Sequence, residues 1–351
     1  VYRMAKKALG LALRKAHLIA LASALLFSLG NRNALCAQND EALRARTPAD
    51  QRIVSDPVSV PAVGAAFLKD SDMVVGVALK GDARAYWLPM VIWNHRILDR
   101  IGGTQILVTW CSLCNTGLVF RPEVDGKALT FTVQGLRGGN LVLQDGQTGS
   151  LWQQATGEAF EGPLHGKRLP RVAFQITSWG QWRKDHPNTL AMAADPHDLA
   201  AYGAMDQRIS EPFWEMQPAP LALRQDSRLP PHTMVLGIEA DATSAYPIDV
   251  IKDEGLINDR IGSIPVVLVY TASTDTVRAF SRQVDQKVLE FKAAGETRMT
   301  DTETASQWNF DGKCESGKHK GEELKPLIVE PSFWFAWAEF HPGTVVFSES
   351  R

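Results

Sequence analysis

Trp179-Gly-Gln-Trp182-Arg-Lys-Asp-His186-Pro187-Asn-Thr189 and Trp334-Phe-Ala-Trp337-Ala-Glu-Phe-His341-Pro342-Gly-Thr344 share one frame, Trp-x-x-Trp-x-x-x-His-Pro-x-Thr, at a shift of 155 residues. Other pairs extend the match outward. Val74-Val-Gly-Val-Ala-Leu79 is echoed by Val235-Leu-Gly-Ile-Glu-Ala240, and Asp99-Arg-Ile-Gly102 by Asp259-Arg-Ile-Gly262. Asp145, Thr148, Ser150 and Trp152 return as Asp301, Thr304, Ser306 and Trp308. Self-similarity at nearly constant offset is the signature of one module written twice. The expected organisation is a first module over residues 71–192 and a second over 233–351. Residues 193–232 between them are rich in Pro and lack periodicity, so they read as a linker.

Within each module the pattern is mostly strand. Ile106-Leu-Val-Thr-Trp110 and Val266-Val-Leu-Val-Tyr270 are short β-branched runs bounded by Gly or Pro. Leu129-Thr-Phe-Thr-Val133 alternates, as a half-buried strand does. Each module is expected to carry one or two short helices, of which the Trp-x-x-Trp segment is the one the pattern marks. Its two Trp, at i and i+3, share a face, and His-Pro ends it because Pro disfavours α geometry in the residue before it. The fold class that follows is mainly β (α+β): two similar β-rich modules with short helices, an internal duplication arranged about a pseudo-twofold axis.

Of the 351 residues, 45% are hydrophobic and 22% charged, values of a globular chain rather than of a disordered, collagenous or polytopic membrane protein. The 37 basic and 39 acidic residues leave a formal charge of −2, without the excess of cations that a nucleic-acid binder needs. Residues 1–37 read as an address. Lys6, Lys7, Arg14 and Lys15 precede the apolar run Leu18–Leu29, and small residues follow around Ala34 and Ala37. That run is shorter than the about 20 residues of a comfortable membrane span. The expectation is a cleaved signal peptide and a periplasmic or secreted protein, with an uncleaved anchor as the alternative. Cleavage leaves 31 basic against 39 acidic groups, and residues 38–70 become an N-terminal extension.

Several phrases resemble the DUF3179 family of bacterial proteins of unknown function. They are Ile92-Trp-Asn-His95 with Asp99-Arg-Ile-Gly-Gly103; Val108-Thr-Trp-Cys-Ser-Leu-Cys-Asn-Thr-Gly117; Asp145-x-x-Thr-Gly-Ser-Leu-Trp152 with Gly157 through Leu164; and Trp179 through Pro187. The likeness runs over roughly residues 70–347 and is specific as a set. It implies membership and no established activity. Where the family's cysteine motif commonly reads Cys-Pro-x-Cys-Gly, this chain has Ser112 and Asn115 in place of Pro and Gly.

The duplication acts as a sieve. Residues common to both modules are most simply scaffold, and residues peculiar to one are free to carry function. Asp145 and Asp301 then read as caps of backbone N–H groups in Asx-type turns, assisted by Ser150 and Ser306. The competing reading makes Asp145 and Ser150 part of a polar groove. His186 and His341, each before Pro at a helix end, read as partners of C-terminal carbonyls. What the first module alone possesses is Cys111-Ser-Leu-Cys114, with His95 upstream and His165 downstream; Thr271, Thr274 and Gly255 stand at the positions of Cys111, Cys114 and His95.

Three readings of that site remain open. Cys111, Cys114 and His95, with His165 as a further candidate, form a soft S/N ligand set for copper or zinc, though a structural zinc site wants four protein ligands. Alternatively the two thiols are a thiol–disulfide couple of a periplasmic oxidoreductase, as an oxidising compartment permits. In the third they are a tight structural disulfide, or two buried thiols, in a non-catalytic binding or scaffold protein. Whether the chain is an enzyme stays open.

Cys314, in a Lys-rich stretch, reads as a free exposed thiol, and Leu136-Arg-Gly-Gly-Asn140 as a turn. Trp93, Trp110 and Trp152 read as core aromatics or as the walls of a ligand cleft. Covalent haem is set aside because Asn115 stands where His would be needed, and no nucleotide-binding fingerprint is present. The expected partners are a small ligand or a metal, with no nucleic acid and no membrane domain beyond the leader.

Overall fold

The computed structural model describes residues 54–210 and 226–348, so the leader read over residues 1–37 lies outside the described residues. In chain order the first half carries β1 (Val54–Ser55), β2 (Ser59–Pro61), β3 (Met73–Leu79), β4 (Asp82–Trp87), α1 (Leu88–Asn94), β5 (Arg96–Ile101), β6 (Thr104–Cys111) and β7 (Thr116–Phe120). A small ribbon of β8 (Glu123–Val124) and β9 (Lys127–Ala128) leads to β10 (Phe131–Arg137), β11 (Asn140–Asp145), β12 (Leu151–Gln153) and β13 (Glu158–Glu161). Then come β14 (Gln175–Ser178), α2 (Trp179–Asp185), β15 (Leu190–Met192) and α3 (Leu199–Ser210).

The second half runs β16 (Met234–Glu239), β17 (Thr243–Pro247), α4 (Ile248–Glu254), β18 (Leu256–Ile261), β19 (Ile264–Thr271) and β20 (Thr276–Ser281). A ribbon of β21 (Gln283–Val284) and β22 (Lys287–Val288) precedes β23 (Phe291–Ala293), β24 (Arg298–Asp301), β25 (Gln307–Asn309) and β26 (Cys314–Ser316). The described chain closes with β27 (Pro326–Leu327), β28 (Glu330–Phe333), α5 (Trp334–Phe340) and β29 (Val345–Val346).

The protein is mainly β and built of several small sheets. In the first half the orders are β14-β3-β4-β15-β2, β1-β5-β6-β7 and β10-β11-β12-β13. In the second they are β28-β16-β17-β29, β18-β19-β20-β27 and β23-β24-β25-β26. No helix among the described residues is long and apolar enough to cross a membrane.

The central strand β6 divides two cores. Because side chains alternate, Ile106, Val108 and Trp110 enter one cluster with Val75, Tyr86 and Val91. Leu107 and Cys111 enter another, with Leu118, Phe131 and Trp152. β19 does the same, sending Val266 and Leu268 to one side and Val267 and Val269 to the other. Strands covered on both faces read as continuous apolar runs, and that is the pattern of both.

The Trp-x-x-Trp helices form as expected and end at His186 and His341, and α1 and α4 supply a second short helix in each half. Three expectations need correction. The stretch read as a linker contains α3, whose Tyr202 packs edge-on against Trp87 at 6.2 Å. Cys314 is buried, its thiol donating to the Ser316 carbonyl at 3.3 Å, so it is not an exposed thiol. The N-terminal extension also joins the sheets from Val54 onward, with β1 beside β5 and β2 beside β15.

Candidate functional site

The cysteines sit in the hairpin between β6 and β7. Cys111 and Thr116 form its last rung, and Ser112–Asn115 close the loop. Asn115 takes the left-handed conformation, φ +51°, which Asn tolerates better than most residues. Asp275 does the same at φ +46° in the loop between β19 and β20. The loop therefore needs no glycine, and Asn115 in place of the family's Gly keeps the turn.

The two sulfurs are not bonded to each other and are buried, at 1% exposure for Cys111 and 0% for Cys114. They lie among Leu98, Leu107, Leu118 and Leu141 on one side of the sheet. The loop tip between them is different: Ser112 is half-buried and Leu113 exposed.

Polar groups thread this apolar setting. Asn140, fully buried, donates from Nδ2 to the Cys114 sulfur at 3.1 Å and to Gln154 Oε1 at 2.7 Å. Its Oδ1 accepts from Gln153 Nε2 at 2.8 Å and from the Ala155 N–H at 2.9 Å. Gln154 Nε2 reaches Thr109 Oγ1 at 3.0 Å and the Thr116 carbonyl at 3.2 Å. From the second half, the Phe333 N–H donates to the Cys114 carbonyl at 2.8 Å, and Ser332 Oγ meets Thr116 Oγ1 at 3.0 Å. Most buried polar groups are satisfied by hydrogen bonds, and this network holds the loop from three sides.

The two thiols are made unlike by their surroundings. Burial pushes the Cys111 thiol up, but the Cys114 thiol and the backbone N–H groups of Cys114, Leu141 and Leu113 outweigh it, so Cys111 lies below its ordinary value. Burial first, and then the partner sulfur, push Cys114 well above it. The two thiols are thus unequal, Cys111 being the more readily ionised of the pair.

The histidines stand elsewhere. His95 caps α1 in the left-handed conformation at φ +57°, where Gly255 caps α4 at φ +67°. Its Nδ1 lies 3.2 Å from the Trp110 carbonyl, and burial lowers its pKa. His165 is exposed in the loop after β13. Neither ring is hydrogen-bonded to a sulfur, and among the described residues no three His, Cys, Asp or Glu side chains are gathered so as to hold a metal. The ligand set read from the sequence is not assembled.

Asp145 is 1% exposed and lines no groove. Its carboxylate accepts from the N–H groups of Gln147, Thr148 and Ser150, from the Thr148 hydroxyl and from the Trp152 indole. Ser150 Oγ is taken by Thr148 Oγ1 at 2.6 Å and by the Leu164 N–H at 3.0 Å. Asp301 repeats the arrangement with Thr304 and Trp308. Trp152 is core, Trp93 is exposed, and Gly138 and Gly139, both at positive φ, turn β10 into β11.

Thr109, Asn140 and Gln154 were not singled out by sequence, although the same sieve points to two of them. At the repeat offsets Val269 stands for Thr109 and Phe310 for Gln154, both apolar core residues of the second half.

Among known protein families, the one described as protein of unknown function (DUF3179) matches residues 53–344. No curated protein matches the chain. No solved structure matches it.

Proposed function

The chain belongs to the DUF3179 family, proteins of unknown function, and from its site we propose that Cys111 and Cys114 form a redox couple cycling between dithiol and disulfide. The observation that carries this reading is the β6–β7 loop, which sets two unbonded thiols three residues apart in unequal surroundings, Cys111 the more readily ionised. The Cys111 thiolate attacks one sulfur of a small disulfide, whose S–S bond breaks and releases one thiolate with the electron pair. Cys114 gives its proton to that thiolate and attacks the Cys111 sulfur of the mixed disulfide. The second group leaves as a thiolate that takes its proton from water, and two electrons have passed from the pair to the reagent. Burial beneath the Ser112–Leu113 tip restricts the partner to small molecules.

The architecture supports placing a single such centre in a duplicated frame. We read the halves as two copies of one module about a pseudo-twofold axis, since β14-β3-β4-β15 and β28-β16-β17-β29 share an order. The hydroxyl pairs Thr276–Thr177 at 2.9 Å and Thr116–Ser332 at 3.0 Å cross between the halves in matching places. Export by the leader of residues 1–37 would bring the pair to an oxidising compartment.

One observation favours a second reading. N–H groups of Leu113 and Cys114 directed at the Cys111 sulfur also suit a thiolate bound to a soft ion, so a two-thiolate copper(I) site is the alternative. One experiment separates them: the purified, untagged protein is equilibrated in graded glutathione buffers, and thiols and metal are counted by mass spectrometry. The redox reading expects reversible oxidation between roughly −300 and −180 mV, lost in Cys111→Ser. A pair still oxidised below about −300 mV is structural. Stoichiometric copper that disappears in Cys111→Ser and Cys114→Ser replaces the couple with the metal site.

A further inference from the structure

Asn140 opens β11 at the last rung of its hairpin with β10, fully buried, with its amide nitrogen 3.1 Å from the Cys114 sulfur. Partners that cannot exchange roles fix that amide. The Ala155 N–H can only donate, so the oxygen of Asn140 faces it. The Thr116 carbonyl can only accept, so the nitrogen of Gln154 faces it, and the Gln154 oxygen receives one hydrogen of Asn140. The second hydrogen is left to the sulfur. At the shift of 156 residues that relates Asp145 to Asp301, Asn140 corresponds to the exposed Glu296. The buried amide thus belongs to the half that holds the cysteine pair.

A thiol is a weak acceptor and a thiolate a strong one, so an N–H set against sulfur binds it more firmly as charge develops there. Burial first, and then the Cys111 sulfur, push the Cys114 thiol up, while the Thr116 hydroxyl and the Asn140 amide pull it down. A thiolate in this apolar setting without a donor would be a buried charge left unpaired.

We propose that Asn140 assists the second step of the couple: its N–H meets the negative charge on the Cys114 sulfur as that sulfur attacks the mixed disulfide on Cys111. The inference rests on the redox reading and names the group that speeds its closing step. In that step the Cys111–Cys114 bond forms and the bond from Cys111 to the small group breaks. The departing thiolate carries off the electron pair and takes a proton from water. Asn140 itself neither gains nor loses a proton. Cys114 ionises above neutral pH, so a donor that enlarges its thiolate fraction speeds the attack, although weaker nucleophilicity cancels about half of the gain. A hydrogen bond to a charged group changes that fraction by about tenfold to a hundredfold. The rate then changes by roughly threefold to tenfold.

In the test, the reduced full chain is mixed with an excess of bis(2-hydroxyethyl) disulfide, an uncharged reagent, and quenched in acid at intervals. Mass spectrometry of the peptide holding both cysteines counts dithiol, mixed disulfide and disulfide. In Asn140→Ser, which withdraws the donor, the mixed disulfide is expected to form at the wild-type rate and to resolve about threefold to tenfold more slowly at pH 7. Asn140→Asp keeps the shape, sets an acceptor against the sulfur, and keeps the inference testable should Asn140→Ser unfold. Its deficit is expected to be larger at pH 8 and to shrink towards pH 5, where the buried carboxyl takes a proton and can donate again. A loop that was merely loosened would alter both steps together and show no such pH profile. Resolution at the wild-type rate in both variants, or a deficit shared equally by the first step, overturns the role of Asn140 and leaves the couple standing. A wild type that forms neither mixed disulfide nor disulfide overturns the couple itself, and this inference with it.

Discussion

Asp145 commits its whole carboxylate to one turn, so the residue scale is where its chemistry is decided. Replacing it by Asn puts an amide donor among five donors, and we expect Asp145→Asn to cost roughly 2–3 kcal/mol in denaturant unfolding. Burial raises the carboxyl, but the Trp152 indole and the Thr148 groups win and hold it below its ordinary value. A depressed carboxyl stabilises above its unfolded value, and that contribution is lost as pH falls through the folded one. The stability difference between wild type and Asp145→Asn therefore narrows below about pH 4; a difference that stayed constant down to pH 2 would count against this assignment. The turn was legible because it occurs twice. Cys111 and Cys114 were legible because they occur once. The part of His95 in the fold was not legible: it caps α1 at φ +57° with Nδ1 3.2 Å from the Trp110 carbonyl, and nothing in its residue type announces that.

At the scale of elements, the Trp-x-x-Trp helices are fixed by contacts that the sequence frame encodes. The Trp182 indole donates to Thr189 Oγ1 at 2.8 Å, and the Trp337 indole to Thr344 Oγ1 at 2.9 Å. The second Trp and the Thr of the frame are thus one hydrogen bond. Thr189→Val and Thr344→Val should each lower stability by about 1–2 kcal/mol, with Ser at either position recovering part of it. The same indoles lie flat on glycines of the neighbouring sheets: a Cβ added at Gly76 would stand 2.4 Å from Trp182, and one at Gly237 2.1 Å from Trp337. Gly237→Ala is expected to overpack the site and cost roughly 1–3 kcal/mol, read as a shift in the unfolding midpoint. The helices α1 and α3 escaped the sequence because their cues were masked. Leu88-Pro-Met-Val-Ile-Trp is apolar on every side, which hides any 3.6-residue period, and Pro89 in the first turn resembles a breaker although that is where helices accept it. In α3 the Pro-rich surroundings outweighed Tyr202, whose buried ring fastens the helix to Trp87.

For the molecule as a whole, a cluster of ions joins the halves. Arg171 reaches Glu239 at 3.0 Å and Glu330 at 3.2 Å, and Arg168 adds a second contact to Glu239 at 2.8 Å. His341, 3.8 Å away, together with the two guanidiniums holds Glu239 down to about 2. Its folded value being depressed, Glu239 stabilises the joined halves above its unfolded value and ceases to do so as pH falls towards about 2. Glu239→Gln should lose roughly 1–2 kcal/mol near neutral pH, after allowance for the side chain's partial exposure. Its unfolding curve should meet that of the wild type in acid. Curves that stay parallel from pH 7 to pH 2 would assign the cluster no part in holding the halves together. Glu330 is pushed the other way, chiefly by burial, so it favours the folded state while protonated and weighs against it as pH rises. None of this was legible beforehand, since Arg171 and Glu330 are distant in sequence and meet only when the halves do.

The bond from the Phe333 N–H to the Cys114 carbonyl sets a timetable. A chain emerging from its amino terminus makes both thiols about two hundred residues before the strand that locks their loop. Until that strand arrives the pair is unshielded, and oxidants or stray sulfhydryls reach it freely. Brief pulses of alkylating reagent during refolding should label Cys111 and Cys114 early and spare them once β28 has docked. Labelling that stops before then would mean that the sulfurs are sealed locally and that the carboxy-terminal strand only decorates a finished site.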